Sequence, residues 1–499
     1  MIRMFIILFI CCTASFLRAQ TLVYSDLNKQ DNTNIYFDIL GKSNNNILIY
    51  KNINRQHYIA KYDEEMQLLK TQPLDFLPQK TFNLDFIKLP KQLIGIYQFQ
   101  KNNIVYCMGF SMGTDSFSIS TPTVLDTTNI GFFDDNKIYS TTYSEDKTQI
   151  LIYKRHFKND IYTIVAKRYN PQLKIQDSIR LALPYQSRRE EFGDLNIDNK
   201  GRMVFTKESR KHSSDDIYKL EFFIKHPGAD NILQTDIPLQ NYFIKSPVVK
   251  ADNMNNRFVL AGFCLSNQNG NVDGLYTATF LIDTNIMQFP QFHPLPTPII
   301  SDINNTRQKE DQLDDLTPQS LILKKSGGFI LIAEDYYTET NYGNDRWNRS
   351  NYYNSMSTLS NSDYYIYQPY RSYQNTNQTN KRFYYNNIII LSVDSAMQLS
   401  WNAVIPKKQY DVERDNYLSY ANLNAGGLLH FLFIEKDRQK DIISNHGLYA
   451  DGTIKRFPTL RSNEKNVEFM PKLGKQIGSN TMIMPFTYLN KLGFAKIEF

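Results

Sequence analysis

Ile47-Leu48-Ile49-Tyr50-Lys51 returns as Ile150-Leu151-Ile152-Tyr153-Lys154. Each copy is followed by an apolar segment containing Ala-Lys, at Ala60-Lys61 and Ala166-Lys167, and then by a third stretch ending near Pro73 or Pro184. The copies lie about 103 residues apart, or two units of roughly 50, which is the size of a propeller blade. Five residues of continuous apolar and β-branched character are too short for a buried helix and suit a strand covered on both faces.

Working outward, a looser version of the same unit covers most of the chain. Units start near Ile35, Ile94, Ile138, Leu195, Val248, Leu321, Leu418 and Val467. Their strongly apolar second strands are expected at residues 47, 104, 150, 203, 258, 329, 428 and 482, and Gly327-Gly328 and Gly426-Gly427 immediately precede two of them. Short strands punctuated by Asn, Asp and Gly turns predict an all-β chain. A short helix is tolerable only around Thr306–Leu316. Thin units of this kind exclude water only by stacking, which predicts a β-propeller of seven or eight four-stranded blades. The units at 82–130 and 467–499 are irregular, which leaves the choice between seven and eight open. Thr21–Leu27 has no local partner, and docking it on the three strands of the last unit would close the ring and cover an edge. A pair of β-sandwiches is the structural rival.

Composition agrees with this. The 499 residues include 33 Tyr and 32 Phe but only 2 Trp, with 41% hydrophobic and 21% charged, so global disorder is excluded. A formal charge of +6 gives no mandate for nucleic-acid binding, and none is expected. Residues 1–20 read as a signal peptide: Arg3, an apolar run from Phe5 to Cys12, and Ala19 before the cut. The run is too short for a comfortable span, and no later segment makes a transmembrane helix. Bulky Ile10 before Cys11 argues against lipidation. Residues 21–499 are then one exported domain whose remaining cysteines, Cys107 and Cys264, sit in apolar strands and are expected to be separate buried thiols rather than a disulfide.

The region that departs most from the repeat is an insertion in a late blade, residues 336–385, which holds 12 of the 33 Tyr. It lies between FILIAE and NNIIILSV and is expected to be a hairpin excursion of the sixth blade. Tyr mixed with Asn, Ser and Arg suits adaptable binding surfaces, and long loops in compact proteins are usually functional or disordered. The candidate binding residues are Tyr336, Tyr337, Tyr342, Arg346, Trp347, Arg349, Tyr352, Tyr353, Tyr364, Tyr365, Tyr367, Tyr370 and Tyr373.

Other chemistry is poorly represented. The mature histidines show no ligand spacing, so no metal and no cofactor are expected, and His430 reads as a core residue. Asn267–Gly274 has a faint likeness to a calcium loop, but it lacks the first carboxylate and the closing Glu, so a hairpin turn explains it better. No nucleophile elbow, phosphate loop, dinucleotide fingerprint or metalloprotease motif occurs. Glu190-Glu191, Asp215-Asp216, Asp314-Asp315, Arg188-Arg189 and Lys407-Lys408 all read as solvated pairs. The alternating end at Ala495, Ile497 and Phe499 admits an outer-membrane barrel, although the second strands are apolar on both faces, which barrels do not allow.

SGGFILIAEDYY (Ser326–Tyr337) followed by YYNNIIILSVDSAMQLSWNAVIPKKQ (Tyr384–Gln409) resembles a family of uncharacterised exported, propeller-like proteins of Bacteroidota-type cell envelopes, which carry a variable insertion before such a tract. A narrower similarity is to the plug subunit that occludes the translocon of the type 9 secretion system. The resemblance implies an envelope setting, periplasmic or surface-associated, and supplies no catalytic residues. The function it favours is a non-enzymatic scaffold that binds another envelope protein or an outer-membrane complex. The alternatives are a glycan-binding module and a propeller-fold hydrolase or lyase acting on polysaccharide.

Overall fold

In the computed structural model of the chain, both copies of the repeated pentapeptide lie on the second strand of a four-stranded antiparallel meander, Asn46–Ile53 and Ile150–Lys158. The structure describes residues 20–27, 35–130, 138–186, 189–211, 216–306, 313, 316–339, 365–367, 382–412, 415–437, 440–460, 467–489 and 491–499. Eight such meanders follow one another, with strands lettered A to D in chain order. Blade 1 is Ile35–Ser43, Asn46–Ile53, Gln56–Tyr62 and Leu68–Pro73, and blade 2 is Thr81–Lys88, Gln92–Lys101, Ile104–Gly113 and Thr123–Asn129. Blade 3 is Tyr139–Tyr143, Ile150–Lys158, Ile161–Tyr169 and Ile175–Pro184. Blade 4 has a split A strand, Glu190–Phe192 with Asn196–Ile197, then Met203–Arg210, Ile217–Lys225 and Leu233–Ile237. Blade 5 is Phe243–Asp252, Arg257–Leu265, Gly274–Leu281 and Ile286–Pro294, and blade 6 is Leu316–Leu323, Phe329–Glu339, Arg382–Val393 and Leu399–Ile405. Blade 7 is Tyr420–Ala425, Leu428–Asp437, Lys440–Leu448 and Ile454–Leu460. Blade 8 has another split A strand, Val467–Phe469 with Lys475–Gln476, then Thr481–Tyr488 and Lys491–Glu498, and its D strand is Thr21–Tyr24 from the other end of the chain.

The core is not one mass but eight apolar layers, one between each pair of consecutive blades. Blades 1 and 2 share Leu48, Tyr50, Leu84 and Phe86, and the same sharing repeats around the ring until blade 8 meets blade 1 through Phe494, Leu492, Phe37 and Ile49. Eight layers among eight blades require closure. The second strands are buried on both faces because each is packed between neighbouring blades, which is why ILIYK lacks alternation. A strands touch A strands around the centre, whereas D strands such as Leu68–Pro73 are largely exposed. The predicted propeller is therefore the observed fold, with eight blades, and the barrel and sandwich readings do not hold.

The clasp is a packed strand. Thr21 to Tyr24 run opposite Glu498 to Ala495, and the Tyr24 ring packs 5.1 Å from Phe486 and 6.2 Å from Phe469. One residue on, the Ser25 amide donates to the Phe494 carbonyl at 2.9 Å while the Phe494 amide donates to Ser25 Oγ at 3.0 Å.

Turn chemistry sets the strand spacing. The C–D turns of blades 1, 3 and 6 start at Asp63, Asn170 and Asp394, whose side-chain oxygens accept the amides of Gln67, Lys174 and Gln398. Each turn then carries a non-glycine residue in the left-handed region, Met66 (φ 60), Leu173 (φ 57) and Met397 (φ 63). Met66 and Met397 are wholly buried, and that burial offsets the backbone cost. The double glycine of blade 6 is demanded by space as well as by φ. Gly327 has φ 98, and a Cβ on Gly328 would lie 2.1 Å from the Val393 carbonyl oxygen.

Two expectations need correction. Blade 2 starts at Thr81, so Gln92–Lys101 is its second strand and the IVYCMGF stretch its third. The apolar IVYCMGF stretch, taken for a second strand, drew the frame a strand too far, because the true A strand carries polar Asn83 and Asp85 among its apolar residues. The single α-helix among the described residues is Thr297–Thr306, directly upstream of the expected segment. Pro298 favours its first turn, and Ile299 and Ile303, one turn apart, plug the layer between blades 5 and 6.

Candidate binding face

In an A-to-D meander the B–C hairpins and the connections between blades share one face, here called upper, and the A–B and C–D turns share the other. The lower face is laced together. The Asn199 side chain accepts the Asp146 amide at 3.1 Å, Asn253 accepts the Asn199 amide at 2.9 Å, and Arg202 and Arg257 pair with Asp198 and Asp252. The upper face carries the Tyr-rich insertion, which lies between Phe329–Glu339 and Arg382–Val393 in the B–C hairpin of blade 6, as expected.

The insertion stands on a three-stranded root. The B strand continues to Glu339, the C strand begins at Arg382, and Gln409–Val412 adds on the far side of the C strand. The register places Tyr337, Tyr384 and Tyr410 side by side on one face and Tyr336, Tyr385 and Gln409 on the other. On the first face the Tyr337 and Tyr384 rings stack at 4.5 Å and 11°, and Tyr410 follows at 6.1 Å and 27°, with Tyr410 61% exposed. The Tyr384 hydroxyl donates to Glu339 Oε2 at 2.9 Å, and burial followed by that acceptor pushes its pKa up.

The second face is held from below by ionic groups. Tyr385, fully buried, packs on Tyr336 at 4.6 Å, and its hydroxyl donates to Asp415 Oδ2 at 2.7 Å. Lys472 of blade 8 reaches both, at 2.5 Å from Asp415 Oδ2 and 2.9 Å from the Tyr385 oxygen. Burial alone would raise the Asp415 pKa, but the Lys472 ammonium and the Tyr385 hydroxyl outweigh it and hold the carboxyl below its usual range. One layer deeper, Lys407 Nζ lies 2.7 Å from Glu334 Oε1, with the two side chains 1% and 0% exposed. The ammonium also donates to the Tyr385 carbonyl at 2.7 Å and Gln409 Oε1 at 3.0 Å, and Ser419 Oγ donates to Glu334 Oε2 at 2.7 Å. Burial lowers the Lys407 pKa against the pull of Glu334. The root thus leans from blade 6 across blade 7 to blade 8. Lys407 is no solvated residue, contrary to the expectation for Lys407-Lys408.

Tyr365–Tyr367 forms a strand that pairs antiparallel with the A strand of blade 1, Tyr36 opposite Ile366 and Phe37 opposite Tyr365. Among the candidate residues, Tyr336 and Tyr337 are in the root and Tyr365 and Tyr367 in this strand. Tyr342, Arg346, Trp347, Arg349, Tyr352, Tyr353, Tyr364, Tyr370 and Tyr373 lie outside the described residues, as does the expected signal peptide up to residue 19.

A second ionic group occupies the upper end of blade 4. Glu191 and Glu208 face each other across the A and B strands, and the Arg210 guanidinium is forked between them, with Nη2 2.5 Å from Glu208 Oε2. Burial pushes the Glu208 carboxyl up to about 7 although Arg210 opposes it. Glu190 pairs with Lys207 at 2.9 Å, so the Glu190-Glu191 pair is structural rather than solvated, again a correction. Asp216 likewise is buried, 3.6 Å from Lys245.

The remaining residues fall as their surroundings dictate. Cys107 and Cys264 are free and buried in blades 2 and 5. His430 is a buried residue bonded to Asn445 at 3.0 Å, and Asn267–Gly274 closes a B–C hairpin whose Asp273 binds the Ser266 amide. Among the described residues no group of three or more His, Cys, Asp or Glu is placed to hold a metal ion. None of the described helices is long and apolar enough to cross a membrane.

No family model and no curated protein matches the chain. Solved structures similar to it include a prolyl endopeptidase (8% identity, 85% of this chain and 56% of that one, TM-score 0.36) and a family 25 ulvan lyase (9%, 82% and 90%, 0.38). The β-propeller domain of the trilobed protease from Pyrococcus furiosus is similar over 84% of this chain and 95% of that one, at 7% identity and TM-score 0.33. The chain spans about half the length of the prolyl endopeptidase. The assignment of the fold rests on the eight closed layers above: the chain is an eight-bladed β-propeller.

Proposed function

We propose that the chain is an exported, non-enzymatic β-propeller that binds another protein of the cell envelope, in the setting of an outer-membrane secretion complex, after removal of its signal peptide. One observation supports this reading above the rest. The hairpin that bears the Tyr-rich insertion is braced at its root by a buried ionic network, and its Tyr365–Tyr367 segment pairs with blade 1, so a rigid ring holds an aromatic-rich segment of the composition that suits binding surfaces. The ionic groups at that root are engaged with one another as struts between blades. The test is cross-linking in native envelopes with the full chain and with a variant whose residues 340–381 are replaced by a short Gly/Ser linker. A protein captured by the first and lost from the second is the expected outcome. Equal capture by both, or none by either, overturns the proposal.

The Tyr337–Tyr384–Tyr410 stack favours a second reading, glycan binding, because the open ring face of Tyr410 could pack on a sugar. Under that reading Tyr410→Ala abolishes a glycan-array signal given by the full chain; an unchanged signal removes it.

A further inference from the structure

We propose that the inner edge of the blade 1 A strand is a receptor for an extended segment of a partner protein, and that Tyr365–Tyr367 is its built-in occupant. This deepens the protein-binding reading and rests on it. Among the described residues the A strand of blade 1 takes a three-residue strand from a distant blade on its central side; the A strand of blade 5 meets its neighbour, the C strand of blade 4, there only at Ile244 opposite Ile217, and the A strands of blades 2, 3 and 7 end their sheets there. The occupant is not local. It belongs to the hairpin of blade 6, whose root already leans to blade 8 through Tyr385 and Lys472. Two independent contacts therefore tie this one hairpin to other blades, at Lys472 of blade 8 and at Ile35–Phe37 of blade 1.

A strand edge offers a row of amide and carbonyl groups that any extended chain can satisfy, so backbone pairing gives affinity and side chains give selectivity. The occupant states the preference: YIY, two aromatics flanking a β-branched residue, is strongly strand-forming. Its pairing covers only three residues. So short a ladder persists because both ends are tethered, at an effective concentration on the order of 1 mM. A partner strand presented at higher local concentration, or with a longer match along Ile35–Ser43, displaces it.

The probe is a labelled synthetic peptide spanning residues 361–371, followed by fluorescence anisotropy. Three proteins are compared: the full chain, the full chain with Ile366→Pro, and the 340–381 linker variant. Their circular dichroism and melting are checked first. For a peptide that binds the bare edge at roughly 100 μM, the tethered strand weakens apparent affinity about tenfold. The expected result is at least about tenfold tighter binding to the linker and Ile366→Pro proteins than to the full chain. A fourth protein, Tyr36→Cys with Ile366→Cys, joins residues that lie opposite each other, and its oxidised form should exclude the peptide. Absence of peptide binding to a folded linker variant, or equal binding to all proteins, overturns this inference while leaving envelope capture to decide the broader proposal. Peptide binding with no captured envelope protein supports the edge and overturns the broader proposal.

Discussion

Lys407→Met isolates what the root of the insertion contributes. The substitution keeps the length and most of the volume of the side chain but removes its charge. It deletes an ion pair of 2.7 Å to Glu334 and hydrogen bonds of 2.7 and 3.0 Å to the Tyr385 carbonyl and Gln409. Glu334, 0% exposed, is left with the Ser419 hydroxyl as a neutral donor. Breaking a buried pair by removing one partner costs about 3–5 kcal/mol, whereas replacing both partners with neutral groups is often close to neutral. Lys407→Met is therefore expected to lose about 3 kcal/mol, and Lys407→Met with Glu334→Gln to recover at least about 2 kcal/mol of it. Urea denaturation followed by fluorescence is the assay; the chain has two tryptophans, and Trp401 lies on the D strand of the same blade, so the signal includes a local reporter. A Lys407→Met protein within about 1 kcal/mol of the parent, or a double variant no better than the single, would refute the claim that the ionic layer braces the root of the insertion.

Glu208 gives a pH signature. Its carboxyl is pushed up to about 7 in the folded chain, so between the ordinary value of 4.5 and 7 the folded state holds a proton that the unfolded chain has released, and stability falls as pH rises through that window. Glu208→Gln should flatten that slope, a difference of about 3 kcal/mol by pH 8, read from melting at pH 5 and pH 8; an unchanged slope assigns the dependence elsewhere. Tyr24→Ala removes the ring packed on Phe469 and Phe486 and should cost about 2 kcal/mol, with oligomers on size exclusion as the edge of blade 8 is uncovered; a monomer of parental stability contradicts the clasp. Burial raises the pKa of both Cys107 and Cys264, so in a protein of residues 21–499, which lacks Cys11 and Cys12, a thiol reagent should find neither in the native state and two equivalents after denaturation, and reaction of the native protein would count against two inert core thiols.

Strand order was legible where burial on both faces erased alternation. ILIYK announced the B strands of blades 1 and 3, and the paired Ala60 and Ala166 stand directly opposite Ile49 and Tyr153 on the C strands. Blade 2 was misframed because its polar A-strand residues Asn83 and Asp85 are buried too, a fact that composition alone conceals. The helix had a readable start in Thr297-Pro298 and two isoleucines one turn apart, but Asp302, Asn304 and Asn305 are poor helix formers, and the helix was expected downstream, around Thr306–Leu316. The insertion was visible as a break in the repeat. Its support was not, since Glu334, Lys407, Ser419, Asp415 and Lys472 come from three blades and their connections. Each looks like a solvent-facing residue in its own sequence neighbourhood, and only the stacking of blades brings them within bonding distance.

The clasp also orders events in time. The Thr21 hydroxyl meets Glu498, 477 positions away, so the first strand to emerge is the last that can be placed. Joining ends that far apart carries a chain-closure penalty of about 5 kcal/mol, which four residues must offset together with the packing of Tyr24. Until residue 498 has been made, the growing arc of sheets stays open at both extremities, and the layer between blades 8 and 1 is the last that can form.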